Sequence, residues 1–250
     1  MASMTPRVAQ LYALLHRGTP GDLEFYRSCC AGGARVLELG SGAGRVAMDL
    51  AARGHAVTGI DIEPALIDVA REQARALEPG GREQVRFVRA DMRDFDLTAR
   101  FDRVIIPFNA LCCLLTPTDL ERTLAAARRH LEPDGLVAFD IYRGDPDATV
   151  DEGETHLIRV EHAGEGWDVY ERARADHDPF RADTCYRFVA THDGEEQHLV
   201  IPQRLIADDE VEDALANAGL APVERHGGFR GESLDDESAH LVVVARAPHS

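Results

Sequence analysis

The sequence predicts an α/β protein with a doubly wound, mostly parallel, seven-stranded sheet and a small antiparallel β insertion after strand 5. Three observations predict it. Short apolar runs alternate strictly with amphipathic helical stretches from about residue 34 to 141, which is the signature of parallel strands joined by crossover helices. The first such run meets glycines at alternate positions, Gly40, Gly42 and Gly44, and passes straight into a helix. From about Thr155 to Ile206 the period changes to two and no helical period is left.

Each element has a local cause. Residues 7–31 have helical character, broken at Gly18-Thr19-Pro20-Gly21. Arg35–Leu39 is a strand, Arg45–Arg53 a helix closed by Gly54, and Ala56–Ile60 a second strand. Pro64 opens a helix over Glu63–Leu77, and Glu78-Pro79-Gly80-Gly81 ends it. Gln84–Arg89 and Phe101–Ile106 are strands 3 and 4. Pro117–Leu131 is a helix stopped by Glu132-Pro133-Asp134-Gly135, and Leu136–Asp140 is strand 5. The segments THLIRVE, WDVYERARA, TCYRFVAT and QHLVIPQRL form the insertion, with Asp193-Gly194 as a hairpin turn. A helix over Asp208–Ala218 and strands Pro222–His226 and His240–Arg246 close the chain. Four segments follow: 1–33, a helical lid; 34–150, the cofactor-binding core; 151–206, a substrate roof; 207–250, the last helix and two strands of the core sheet.

Composition narrows the chemistry. The chain has 250 residues, with 27 basic against 44 acidic, a net charge of −17. Nucleic-acid binding depends on basic surface that displaces counterions, so a small neutral or cationic substrate fits better. No run is long and apolar enough to span a bilayer, and the first residues lack a signal-peptide pattern, so a cytoplasmic protein is expected. Every basic residue is Arg. Without Lys there is neither Schiff-base chemistry nor a Walker A loop. The five cysteines, two adjacent pairs and Cys185, make no disulfide framework and no metal-binding spacing, so no metal is expected.

Glycines at a strand-to-helix turn let backbone N–H groups approach a ligand with no Cβ between. A dinucleotide loop needs G-x-G-x-x-G, and Arg45 stands at its third glycine. Glu38 precedes the loop by two residues. Asp61 ends strand 2, where a carboxylate accepts from ribose hydroxyls. Ala90-Asp91-Met92-Arg93-Asp94-Phe95 follows strand 3. An Asp there accepts from the exocyclic amine of adenine, and the next N–H donates to the ring.

With E-L-G-S-G-A-G, the acidic end of strand 2, A-D-M-R-D-F and L-E-P-D-G-L in this order, the chain resembles the class I S-adenosylmethionine-dependent methyltransferases, a Rossmann-like family, over residues 34–141. The insertion is similar to that of the branch with glycine N-methyltransferases and sugar N,N-dimethyltransferases. The resemblance implies S-adenosylmethionine as cofactor. It implies contacts from Tyr12, Glu38, Gly40, Ser41, Gly42, Gly44, Arg45, Asp61, Ile62, Asp91 and Met92, with Phe108 and Asn109 beside the sulfonium. One departure is the run Ala110-Leu111-Cys112-Cys113-Leu114, where the branch often has His or Tyr facing the substrate.

Methyl transfer to an N or O atom of a small molecule is an in-line displacement that draws most of its acceleration from alignment. A base is needed only when the nucleophile must lose a proton. His16, Cys113 and Tyr142 are the candidates for catalysis; Arg143, Tyr170 and His226 are the candidates for substrate contact. An NAD-dependent oxidoreductase and a cofactor-binding protein without catalysis are the competing readings. The edge strands of the insertion suggest a homodimer.

Overall fold

The computed structural model describes residues 4–30, 32–144 and 151–248. The expected end of the core segment at residue 150 lies outside them. Two sheets organise the chain. The larger has seven strands: β1 (Arg35–Leu39), β2 (Ala56–Asp61), β3 (Val85–Arg89), β4 (Phe101–Ile106), β5 (Leu131–Tyr142), β10 (Ala221–His226) and β11 (His240–Arg246). Their order is β10-β11-β5-β4-β1-β2-β3, with β1 to β5 parallel and β11 antiparallel to both its neighbours. The direction of winding reverses between β1 and β4. In open α/β sheets the ligand crevice lies at that reversal, beyond the carboxyl ends of the strands.

Alternate side chains feed two cores, one on each face. Leu37, Leu39, Ile60, Val104, Ile106, Phe139 and Ile141 pack on one side with α6 (Pro117–Arg129) and α7 (Asp208–Asn217). Val36, Val57, Ile105, Ala138 and Val242 pack on the other with α2 (Asp22–Cys29), α3 (Arg45–Ala52) and α4 (Pro64–Ala74). Both faces are covered, which is why the strands read as continuous apolar runs.

The second sheet is antiparallel, β6-β7-β8-β9, built from Thr155–His162, Glu165–Ala175, Arg181–Ala190 and Glu196–Arg204. Gly194, at φ 78°, makes the turn between the last two strands. One face of this sheet carries Val160, Trp167, Val169, Tyr186, Phe188 and Leu199, and buries them against Val8 and Leu11 of α1 (Pro6–Leu15). The opposite side of α1 puts Ala9 against Leu66 and Val69 of α4. Helix α1 is therefore wedged between the small sheet and α4. No helix among the described residues is long and apolar enough to cross a membrane.

Two elements depart from the sequence reading. Pro79–Gln84 forms a short helix, α5, where the prolyl-diglycyl run was expected only to stop α4; proline at the first helical position starts a turn as readily as it stops one. Strand β5 begins at Leu131 rather than Leu136. Phe101 pairs with Leu131 and Arg103 with Leu136, so Glu132–Gly135 bulge out of a strand that is already in register on both sides.

Candidate active site

The glycine loop leaves β1 with Gly40, Gly42 and Gly44 all at positive φ (68°, 51° and 83°), where L-side chains are strained. Ser41 N–H donates to Ile60 O at 2.9 Å and ties the loop to β2. Gly42 N–H donates to Asp61 Oδ2 at 2.8 Å, and Glu63 N–H donates to Asp61 Oδ1 at 2.9 Å. The glycines differ in what surrounds them. A Cβ on Gly44 would strike the Phe87 ring at 2.4 Å, so Gly44 serves helix–strand packing. A Cβ on Gly42 would meet nothing within 4 Å, so the space beside Gly42 is open.

Glu38 is 3% exposed beneath this loop, and its Oε2 has no partner; neither has Ser41 Oγ. Burial pushes the Glu38 carboxyl up to about 8, against the pull of the Arg45 guanidinium. Burial also raises Asp61, opposed by the N–H groups of Glu63 and Gly42. Each Asp61 oxygen retains a lone pair beyond its backbone bond. Ile62, 47% exposed, follows it at the rim. A partnerless buried carboxyl oxygen, an acidic strand end and an open backbone cradle suit a ligand with an ammonium group and vicinal hydroxyls.

Asp91 is arranged differently from expectation. Arg93 grips its carboxylate through Nε (2.9 and 3.1 Å) and Nη2 (2.7 Å), and reaches Asp119 with Nη1 at 3.4 Å. That side-chain bond to Arg93 holds Asp91 below the usual carboxylate range. The acceptor capacity of Asp91 open to any ligand is what Arg93 leaves. Met92 packs against the core of the larger sheet.

Next to the cradle stands an aromatic cluster of four rings drawn from three segments. Tyr12 and His16 lie one turn apart at the end of α1, ring centroids 4.0 Å apart. The His16 ring meets Phe108 and Tyr186 edge-on, each at 5.4 Å. His16 Nε2 is buried without a partner, and burial lowers its pKa to about 4. The Cys113 thiol, in the 3-10 turn Ala110–Cys113 after β4, is pushed up to about 11 by burial, with Asp61 adding to it. Burial also raises the Tyr12 phenol. Among these groups the neutral imidazole is the proton acceptor at neutral pH; the thiol is protonated.

A model of the methyltransferase domain family matches residues 36–135. The chain is 29% identical to the CcbJ methyltransferase of Streptomyces caelestis, whose structure superposes with a TM-score of 0.77 over 93% of this chain and 92% of that one. A curated relative, the dTDP-3-amino-3,6-dideoxy-alpha-D-glucopyranose N,N-dimethyltransferase of Streptomyces fradiae, is 24% identical over 93% of this chain and 91% of its own. The sugar N-methyltransferase KedS8 of a Streptoalloteichus species shares the fold, with a TM-score of 0.76 over 99% and 95% of the two chains at 22% identity. This chain is a methyltransferase.

Several side chains of the methyltransferase lie elsewhere than the sequence reading put them. Arg143 binds Asp208 with Nε and Nη2 (3.1 Å each) and the Asp235 and Ser238 carbonyls with Nη1, so its guanidinium ties the end of β5 to α7. Tyr142, 49% exposed, packs edge-on against His240, away from the aromatic cluster. Tyr170 alternates with Trp167 and Val169 along β7, and so lies on the other face of the small sheet, under the Arg187 guanidinium. His226 sits on the edge strand β10 beside Glu224 Oε2 at 3.3 Å.

Other groups were not foreseen. Tyr186, from β8, closes the aromatic cluster from the second sheet, with Glu171 hydrogen-bonded at its hydroxyl. Arg45 does more than replace a glycine. Its guanidinium forms a paired salt bridge with Asp22, Nη1 to Oδ1 at 3.0 Å, and lies 5.8 Å over the Phe108 ring. The period-2 pattern of β8 marks Tyr186 as facing inward, but nothing local says what it faces.

Proposed function

We propose that this methyltransferase moves a methyl group onto the nitrogen of a small amine-bearing molecule, in the aromatic cluster under the antiparallel sheet. The observation that carries the reading is His16: a neutral imidazole with a buried, unpartnered Nε2, ringed by Tyr12, Phe108 and Tyr186. When bound, S-adenosylmethionine supplies an activated methyl group on a sulfonium. Glu38 would take its ammonium, Asp61 its ribose hydroxyls, and Gly40, Ser41 and Gly42 its methionine portion, along a backbone open at Gly42. Ile62, Met92 and Asp91 would hold the adenine end. Phe108 and Asn109 would stand beside the reacting methyl.

An amine attacks through its lone pair, so it must be neutral when it reacts. His16 Nε2 accepts a hydrogen bond from the amine N–H and turns the lone pair toward the methyl. The cage of rings holds the acceptor at low solvent exposure, and alignment of nucleophile and methyl is worth up to about 7–11 kcal/mol. The named activities of the Streptomyces fradiae and KedS8 relatives support a nitrogen acceptor on a small molecule. The N-terminal helices act as lid and the antiparallel sheet as roof. Five free cysteines suit a reducing, cytoplasmic setting.

The test is calorimetric titration with S-adenosylmethionine, S-adenosylhomocysteine and NAD in parallel. Amino sugars and their hydroxyl counterparts are then screened as acceptors by mass spectrometry. Binding of the two adenosyl ligands and a one-methyl mass gain on the amines alone is the expected result. Methylation of the hydroxyl compounds with the amines untouched would overturn the nitrogen reading.

A further inference from the structure

We propose that Asp140 is a positioning residue for methyl transfer: with Tyr26 it forms a buried clamp that sets the backbone of Phe108 and Asn109. Neither residue belongs to the glycine loop or the aromatic cluster. Asp140 lies near the end of β5, is 0% exposed, and accepts three hydrogen bonds. Its Oδ1 takes the Phe108 N–H at 2.8 Å and its Oδ2 the Asn109 N–H at 3.0 Å. The Tyr26 hydroxyl, from α2 and likewise 0% exposed, donates to Oδ1. His240 is the basic neighbour on the β11 side.

The segment it holds needs holding. Phe108 and Asn109 are consecutive non-glycine residues at φ 60° and 56°, a conformation that persists only where the surroundings over-determine it. Both N–H groups converge on one carboxylate, and that convergence fixes the turn. The consequences appear at the site. The turn aims the Phe108 ring at His16 and under Arg45, and leaves Asn109 Oδ1 buried without a partner. The far end of the same segment is held from the second sheet, where Arg204 donates to Leu114 O at 3.1 Å and Arg181 to Leu115 O at 2.6 Å. Tyr26 also follows the Gly18–Gly21 break, so the clamp joins the lid helix α2, β5 and the β4 segment at one carboxylate.

The inference rests on the reading that Phe108 and Asn109 flank the sulfonium methyl. S-adenosylmethionine differs from S-adenosylhomocysteine only in that methyl and its charge, so a clamp acting there changes the ratio of their dissociation constants. A merely structural residue weakens both ligands alike. The experiment measures both constants by calorimetry for the wild-type protein, Asp140→Asn and Tyr26→Phe, below the melting transition of each. Asparagine offers one acceptor and sets an NH₂ against the second backbone N–H, so Asp140→Asn should weaken S-adenosylmethionine about tenfold more than S-adenosylhomocysteine. Tyr26→Phe keeps both backbone bonds, folds even if Asp140→Asn does not, and should shift the ratio in the same direction by about threefold. Amide exchange at Phe108 and Asn109 should quicken in both variants. Wild-type binding with an unchanged ratio in Tyr26→Phe and, where it folds, in Asp140→Asn would overturn the clamp alone. Absence of wild-type binding to either ligand would overturn the cofactor site and the clamp together.

Discussion

Replacing Gly42 and Gly44 in turn by alanine separates a ligand cradle from a packing contact. Alanine keeps the backbone N–H, so the Gly42 bond to Asp61 survives and only a methyl group is added. At Gly42 that methyl meets no protein atom within 4 Å, and φ is 51°. The stability cost is then backbone strain alone, about 1–2 kcal/mol, or roughly 2–8 °C in Tm for a chain of this size. The methyl does, however, fill the space beside the loop, and S-adenosylhomocysteine affinity should fall at least about thirtyfold, roughly 2 kcal/mol. At Gly44 the methyl sits 2.4 Å from Phe87 Cζ and 2.8 Å from Cε1, with Ala70 Cβ at 3.3 Å behind. The buried Phe87 ring must move, and overpacking of about 1–3 kcal/mol joins the same strain, for a total of about 2–5 kcal/mol. Binding by the folded fraction should stay within about threefold of wild type, since the methyl points into protein rather than into the cradle. Thermal melts and calorimetry on both variants decide it. Wild-type affinity in Gly42→Ala would refute the cradle; a binding defect in Gly44→Ala without a stability loss would refute the packing role.

Three further outcomes follow from the buried groups. Glu38, protonated below about pH 8 in the free protein, should ionise when it pairs with an ammonium. Binding of S-adenosylhomocysteine should then release a proton, and affinity should rise between about pH 6 and 8, by up to roughly tenfold per unit, a slope that Glu38→Gln abolishes. His16 is lowered from 6.5 to about 4, so its contribution to stability is complete above pH 6.5 and is lost as the pH falls toward 4. His16→Phe should flatten the stability profile across that window by up to about 3 kcal/mol, read from denaturant midpoints. Trp167 is 0% exposed between the small sheet and α1, and Trp167→Ala should cost about 3–5 kcal/mol and expose the α1 segment to limited proteolysis. Full resistance of that segment would show that α1 is held by α4 alone.

What was legible follows the range of the interactions. The succession of strands and helices, the glycine turn and the acidic ends of β1 and β2 arise within a few dozen residues, and periodicity and turn chemistry report them directly. The bulge at Glu132–Gly135 was hidden because a turn and a wide bulge use the same residues. The substrate side was far less legible. Tyr186 reaches His16 across 170 positions, and Tyr26 reaches Asp140 across 114. No local pattern encodes such pairs; a buried Asp near the end of a strand reads as one more polar residue until its three donors are seen. Tyr170 was misplaced for a related reason. Alternation identifies two faces of a strand but not which one meets the cofactor, and the Trp167 face is chosen by α1, a helix more than 150 residues upstream.

Arg45 shows how a residue read as a deficit becomes a device. At the third glycine position a side chain was weighed as a departure from a dinucleotide loop, and the resemblance implied it as a cofactor contact. In the structure that side chain leaves the cradle, pairs with the buried Asp22 at the start of α2, and packs so tightly on Gly18 that a Cβ there would lie 2.3 Å from the guanidinium carbon. It also covers Phe108 and draws the Glu38 carboxyl toward ionisation. One guanidinium thus links the Gly18 turn, the Phe108 ring and the Glu38 carboxyl beneath the glycine loop. Glycine at this position would keep the backbone path and lose all three links. The chain therefore anchors α2 at the same position where it departs from a dinucleotide loop, and both follow from a single side chain at the first turn of α3.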